Sequence, residues 1–136
     1  NFTGAVLDEA QMSDTNIQSC RFTGASMREI DLTEARSTNG SFTGVNLEKA
    51  TLEEAEIYRG DFSGANLRGA DLNHINLWSC NFSGTDLRGA DLSNALLQEV
   101  DLTGAQLEGA KMDVIAYDEK TIWPEGFNPP ESAIAD

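Results

Sequence analysis

Twenty-three residues, from Phe2 to Met112, follow one another at strict intervals of five, and all but Ser37 are apolar. On an α-helix, steps of five advance by about 500°, so the apolar positions would wander around the cylinder. A flat strand alternates its faces with period two, so an odd interval would send successive large residues to opposite sides. The interval is satisfied only if the backbone turns a corner once in every five residues. Two positions before each centre from Leu7 onward sits a mostly small residue, as at Ala5, Ala10, Thr15, Cys20 and Ala25, with Ile30, Val45, Ile75 and Val100 as larger exceptions. Positions two apart share a face in an extended segment, so each corner sends one large and one small residue inward.

A second period closes the coil. Phe2, Phe22, Phe42, Phe62 and Phe82 are twenty residues apart, each followed by Thr or Ser and then Gly, and Leu102 continues the series. Four pentapeptides therefore make one turn. With parallel coils rising by about 4.8 Å, these six residues are expected to stack as an internal core column. Glycine at the same corners fits a turn that needs φ > 0.

The stretches "ANLRGADL" at 65–72, "TDLRGADL" at 85–92 and "VDLTGAQL" at 100–107 resemble the pentapeptide-repeat family, whose motif is A-(D/N)-L-x-x. The resemblance implies an all-β fold, a right-handed quadrilateral parallel β-helix with four pentapeptides per 20-residue coil and about 5.5 coils; the handedness comes from the family alone. Residues 1–115 are read as this repeat domain and 116–136 as a capping tail. Pro124, Pro129 and Pro130 forbid further laddering there, and Trp123 or Phe127 is expected to cover the last coil. The tail stretch "WPEGFNP" also resembles tails of bacterial, notably cyanobacterial, members. At the other end Phe2, Leu7, Met12 and Ile17 are expected to face solvent. Either further coils precede them, the chain being a fragment or processed form, or two copies meet end to end as a homodimer.

The net charge of −14 comes from 23 acidic and nine basic residues. That argues against direct nucleic-acid binding, which needs clustered Lys and Arg, while the acidity keeps the chain soluble and could attract a basic partner. No apolar run approaches the length of a membrane span, so the chain is read as soluble and not membrane-inserted. The compartment stays open: the cytoplasm is favoured, with the periplasm or thylakoid lumen as alternatives for a chain that has lost a signal peptide.

Candidate sites follow from the columns that a twenty-residue coil creates. Cys20 and Cys80 share one column three coils, or about 14 Å, apart, too far for a disulfide. The single histidine, His74, lies in an outward column with Asp14, Glu34, Glu54 and Asn94, read as a solvated acidic face and not a cation site. Asp8, Arg28, Glu48, Arg68, Arg88 and Glu108 form a charged column that stabilises the stack by cross-strand pairs and is not read as a site, although the step from Arg68 to Arg88 breaks the alternation and could accept an acidic partner group. Thr3, Thr23, Thr43, Ser63, Ser83 and Thr103 form a hydroxyl ladder, explained by bonds to the corner backbone. The best binding patch is Tyr58, Arg59 and Trp78, exposed aromatics beside an arginine, the residue types enriched at interface hot spots.

No paired acid and base, metal cluster or phosphate loop is present, so the chain is read as a non-enzymatic protein without cofactor. It is expected to be a rigid scaffold or interaction module whose protein partner the sequence does not name. The resemblance adds a second reading, a DNA mimic that binds a type II topoisomerase such as gyrase. A third is a structural spacer within a longer chain.

Overall fold

Every fifth residue from Gly4 to Val114 has a positive φ, between 53° and 75°. A computed structural model describes residues 1–133, so the last three residues of the expected tail lie outside the described residues. Nearly every corner on three of the four sides is closed by a short backbone hydrogen bond, such as Ala5 N–H to the Phe2 carbonyl at 2.9 Å and Ala65 N–H to Phe62 at 3.0 Å. This is a four-residue turn with the left-handed residue third. The glycines after each Thr or Ser of the phenylalanine series take positive φ as expected, and side chains are tolerated at the other corners too: 14 of the 23 carry one, among them Glu34, Lys49, Arg59 and Val114. A side chain in that region costs about 1–2 kcal/mol. The turn bond and the inter-coil ladder offset it, and glycine merely lowers the cost.

Consecutive coils pair in parallel at a register of twenty on all four sides, as in Val6 with Ser26, Gln11 with Asp31, Asn16 with Arg36 and Arg21 with Ser41. Each centre donates its N–H upward and each preceding residue donates downward: Leu7 N–H bonds Ser26 O at 2.7 Å, and Ser26 N–H bonds Ala5 O at 2.9 Å. The result is a four-sided parallel β-helix. We number the sides by their centres: first (Phe2, Phe22 and onward), second (from Leu7), third (from Met12) and fourth (from Ile17). Only the fourth forms longer strands, β1 (Arg36–Thr38), β2 (Glu56–Tyr58), β3 (Asn76–Trp78), β4 (Leu96–Gln98) and β5 (Ala116–Tyr117), in one sheet ordered β1-β2-β3-β4-β5.

The core is a filled column. Phe22, Phe42, Phe62 and Phe82 are buried, with ring centroids 4.5–5.3 Å apart and near-parallel planes. Leu102 is buried above them. Phe2 stacks on Phe22 at 5.1 Å but stays 39% exposed, so it is the uncovered end of the column and not core. Ile17, expected to face solvent, is 7% exposed, while Leu7 and Met12 are half-buried. The coil climbs as it turns, so Ile17 stands three corners higher than Phe2 and is better enclosed by the next coil. No helix of the described residues is long and apolar enough to cross a membrane.

Candidate interaction face

The fourth side departs from the rest at the residue before each centre. On the other three this is commonly Asp or Asn, whose side-chain oxygen accepts the N–H two residues on: Asp31 from Thr33, Asn46 from Glu48, Asp61 from Ser63, Asn66 from Arg68 and Asp91 from Ser93, at 2.9–3.1 Å. The Asp or Asn of the motif is thus a corner lock. On the fourth side that place holds Arg36, Glu56, Asn76 and Leu96, and the chain runs extended as β1–β4. The outward residue after each centre, Thr38, Tyr58, Trp78 or Gln98, then lies in register with its neighbours one coil away.

Tyr58 and Trp78 are direct partners in the β2–β3 pairing, and their rings meet edge to face at 6.4 Å and 86°. Such a pair contributes about 0.5–1.5 kcal/mol beyond its buried area. Trp78 keeps 38% of its surface exposed. The Arg59 guanidinium lies 5.7 Å from the Trp78 ring centroid, and its Nε donates to Asn39 Oδ1 at 3.0 Å. The guanidinium is thereby held at its Nε. The Tyr58 hydroxyl donates to Glu56 Oε2 at 3.3 Å, and burial, followed by the Glu56 charge, pushes its pKa up. Sequence spacing brought Tyr58 and Trp78 together and set Asn39 one coil from Arg59 and Glu56 beside Tyr58; it did not show that these side chains bond.

Behind this face the Cys80 thiol donates to Ile57 O at 3.2 Å, and burial raises its pKa to about 11. It is an inert core group. Cys20 is half-buried and also free.

The model for pentapeptide repeats matches this chain in eight copies, over residues 1–33, 41–73, 61–98 and 76–113. The chain belongs to the pentapeptide-repeat family. Among solved structures, this pentapeptide-repeat chain is similar to Rfr23 from the cyanobacterium Cyanothece 51142, at 25% identity and a TM-score of 0.68, over 88% of this chain and 90% of that one. It also resembles HetL, a pentapeptide-repeat protein involved in heterocyst differentiation regulation from Nostoc sp. strain PCC 7120. That likeness has 23% identity and a TM-score of 0.53, over 92% of this chain and 62% of that one. A search of curated proteins finds no match.

The other columns of this pentapeptide-repeat chain behave less uniformly than their spacing predicts. The His74 column occupies left-handed corners at Asp14, Glu34, Glu54, His74 and Asn94, and no cluster of metal-ligating side chains forms among the described residues. In the charged column only Arg28 and Glu48 pair as drawn, at 3.3 Å; Arg88 turns to Asp86 on its own coil, at 2.7 Å. The hydroxyl ladder corrects its own explanation, since Thr3 and Thr103 donate to the side chains of Asn1 and Asp101, and Thr23 bonds the Ser41 hydroxyl. At Thr3 and Thr103 the corner N–H is already taken by Asn1 and Asp101, which leaves those hydroxyls to bond side chains.

At the far end Trp123 and Phe127 pack against the core, stacked on each other at 5.5 Å. Tyr117, which the sequence reading passed over, meets Trp123 edge to face at 5.2 Å and donates its hydroxyl to Pro130 O at 2.7 Å. Its signal was simple: Tyr117 falls five residues after Met112. A cleft of about 340 Å³ lies where the tail leaves the coil, between Leu107 and Phe127.

Proposed function

We propose that this chain is a non-enzymatic interaction module, a rigid rod that presents its fourth side to a protein partner through Tyr58, Arg59 and Trp78. The observation that carries the reading is the exposed Trp78, held edge to face by Tyr58 and flanked by an Arg59 that Asn39 fixes in place. Groups already ordered in the free protein lose little entropy on binding. The acidic net charge speeds encounter with a basic partner.

The test is affinity capture with the wild type beside a Tyr58→Ala, Trp78→Ala variant whose fold is confirmed by circular dichroism. Specific capture by the wild type alone supports this face. Retention of every partner by the variant rules it out. The reading as a gyrase-binding DNA mimic draws support from the charge of −14. Lys49, Arg68 and Arg88, gathered on the second side, interrupt an acidic surface and count against it. Inhibition of supercoiling by micromolar protein would reinstate it.

A further inference from the structure

The second side lies opposite the aromatic face, two corners round each coil, and it concentrates positive charge in a chain that has little. Glu48, Lys49, Arg68, Gly69 and Arg88 line a groove of about 210 Å³. Their pairing is incomplete. Arg28 satisfies Glu48 at 3.3 Å, and Asp86 chelates Arg88 through Nε at 2.9 Å and Nη2 at 2.7 Å. Lys49 and Arg68 form no ion pair within 4 Å among the described residues, although 23 acidic residues are available to the chain.

The corners beneath these cations keep the groove open. Gly69 and Gly89 supply left-handed corners with no side chain, and the Lys49 stem lies across the first of them, since a Cβ on Gly69 would sit 3.6 Å from Lys49 Cγ. Lys49 is thus laid along the axis over Gly69, and it lines the groove together with Arg68. Arg68 and Arg88 occupy equivalent places one coil apart, next to the paired residues Asn66 and Asp86. Like charges so placed repel; Glu48, the carboxylate of the groove, is already paired with Arg28, and Asp86, which feels Arg68, is chelated by Arg88.

We propose that this groove binds a single phosphate monoester, with Lys49 and Arg68 supplying the two free charges and Arg88 a third wall. A dianion matches two uncompensated cations, whereas a carboxylate leaves one unpaired, and the planar guanidinium suits phosphate oxygens. The surroundings limit the ligand to one isolated group. Asp8, Glu9, Glu29 and Glu108 continue the same two columns, so a nucleic-acid duplex or anionic bilayer is repelled on either side.

The test is nuclear magnetic resonance titration of labelled protein at low ionic strength, about two pH units above the monoester's second pKa of about 6, where inorganic phosphate is also mostly a dianion. The probes are inorganic phosphate and O-phosphoserine. Saturable shifts of the Gly69 amide and the Arg68 Nε–H with both probes are expected at millimolar concentration. Lys49→Gln and Arg68→Gln, both at the exposed surface, are each expected to weaken binding about tenfold, the loss of one charge-assisted bond. Arg36→Gln, on the opposite side, is expected to leave it unchanged. The proposal is overturned by shifts that do not saturate, by wild-type affinity in the Lys49 and Arg68 variants, or by binding of inorganic phosphate without the ester.

Discussion

Ile122 pairs with Asp101 across twenty-one residues, whereas every other inter-coil pair spans twenty. The extra residue is absorbed in the turn after Tyr117, and it places Trp123 in the register position above Leu102. The large ring thus arrives on the phenylalanine column as its last layer. Asp118 holds the insertion, because its Oδ1 accepts from the N–H groups of Glu99, Lys120 and Thr121 at 3.1–3.2 Å. Burial opposes ionisation of Asp118, but those hydrogen bonds outweigh it and its pKa is lowered.

Asp118→Ala leaves three N–H groups without that acceptor. We expect a loss of about 1–3 kcal/mol in urea denaturation and a red shift of Trp123 fluorescence in a Trp78→Phe background, with Asp118→Asn keeping most of the stability. Unchanged stability in the alanine variant would mean that the insertion holds without its carboxylate.

Ser37 interrupts the aliphatic column of the fourth side, buried at 2% exposure with only a long 3.4 Å bond to Ile17 O. The next coil shows what fits there. A Cβ on Gly60 would lie 2.8 Å from Ile57 Cγ2, so that glycine makes room for isoleucine, and Gly40 leaves the same room beside Ser37. Ser37→Ile is therefore expected to raise stability by about 1–2 kcal/mol, read as a higher urea midpoint. A lower midpoint would show the second coil to be narrower than the third.

Gly60→Ala tests the same packing from the other side. Its methyl group would meet Ile57 at 2.8 Å and Phe62 at 3.1 Å, and overpacking of this kind costs about 1–3 kcal/mol. Calorimetry should place its Tm below that of Gly64→Ala, where nothing lies within 4 Å and only the φ of +66° is strained.

The two thiols should react in sequence. Cys80 is buried with a pKa of about 11, so near neutral pH almost none of it is thiolate, while Cys20 is half-buried near the open end. A thiol reagent is expected to label one cysteine in the native protein and the second only on unfolding. Mass spectrometry that finds Cys80 labelled first would contradict the buried packing.

Stability should respond to acid in two stages. The Ser26 hydroxyl beside Asp8, that of Thr33 beside Asp31, the Arg88 guanidinium at Asp86, the Ser93 N–H at Asp91 and the Ser79 hydroxyl at Glu99 all hold these carboxyls below their usual range. Groups depressed in the folded state stabilise it above their unfolded pKa of about 4 and lose that contribution as pH falls through the folded values. Before then, titration toward the isoelectric point near 4.2 removes the self-repulsion of a −14 chain. Thermal melts at low salt should rise from neutral pH to about pH 5 and fall below about pH 4, and the rise should vanish at high salt.

The covalent spacing by itself determined the five-residue corner, the four-sided coil, the phenylalanine column and the adjacency of Tyr58 with Trp78, because a ladder repeating every twenty residues leaves the backbone no other register. The tertiary structure decided what long side chains did within that frame. Arg88 could reach Glu108 or Asp86 and took Asp86; Arg59 could have stayed in solvent and was held between Asn39 and Trp78. It also decided that Ile17 is enclosed while Phe2 is open, and that one extra residue after Tyr117 brings Trp123 over the core. Those outcomes depend on competition among partners within reach and on which atoms close a cavity, and neither quantity is written in a residue's spacing.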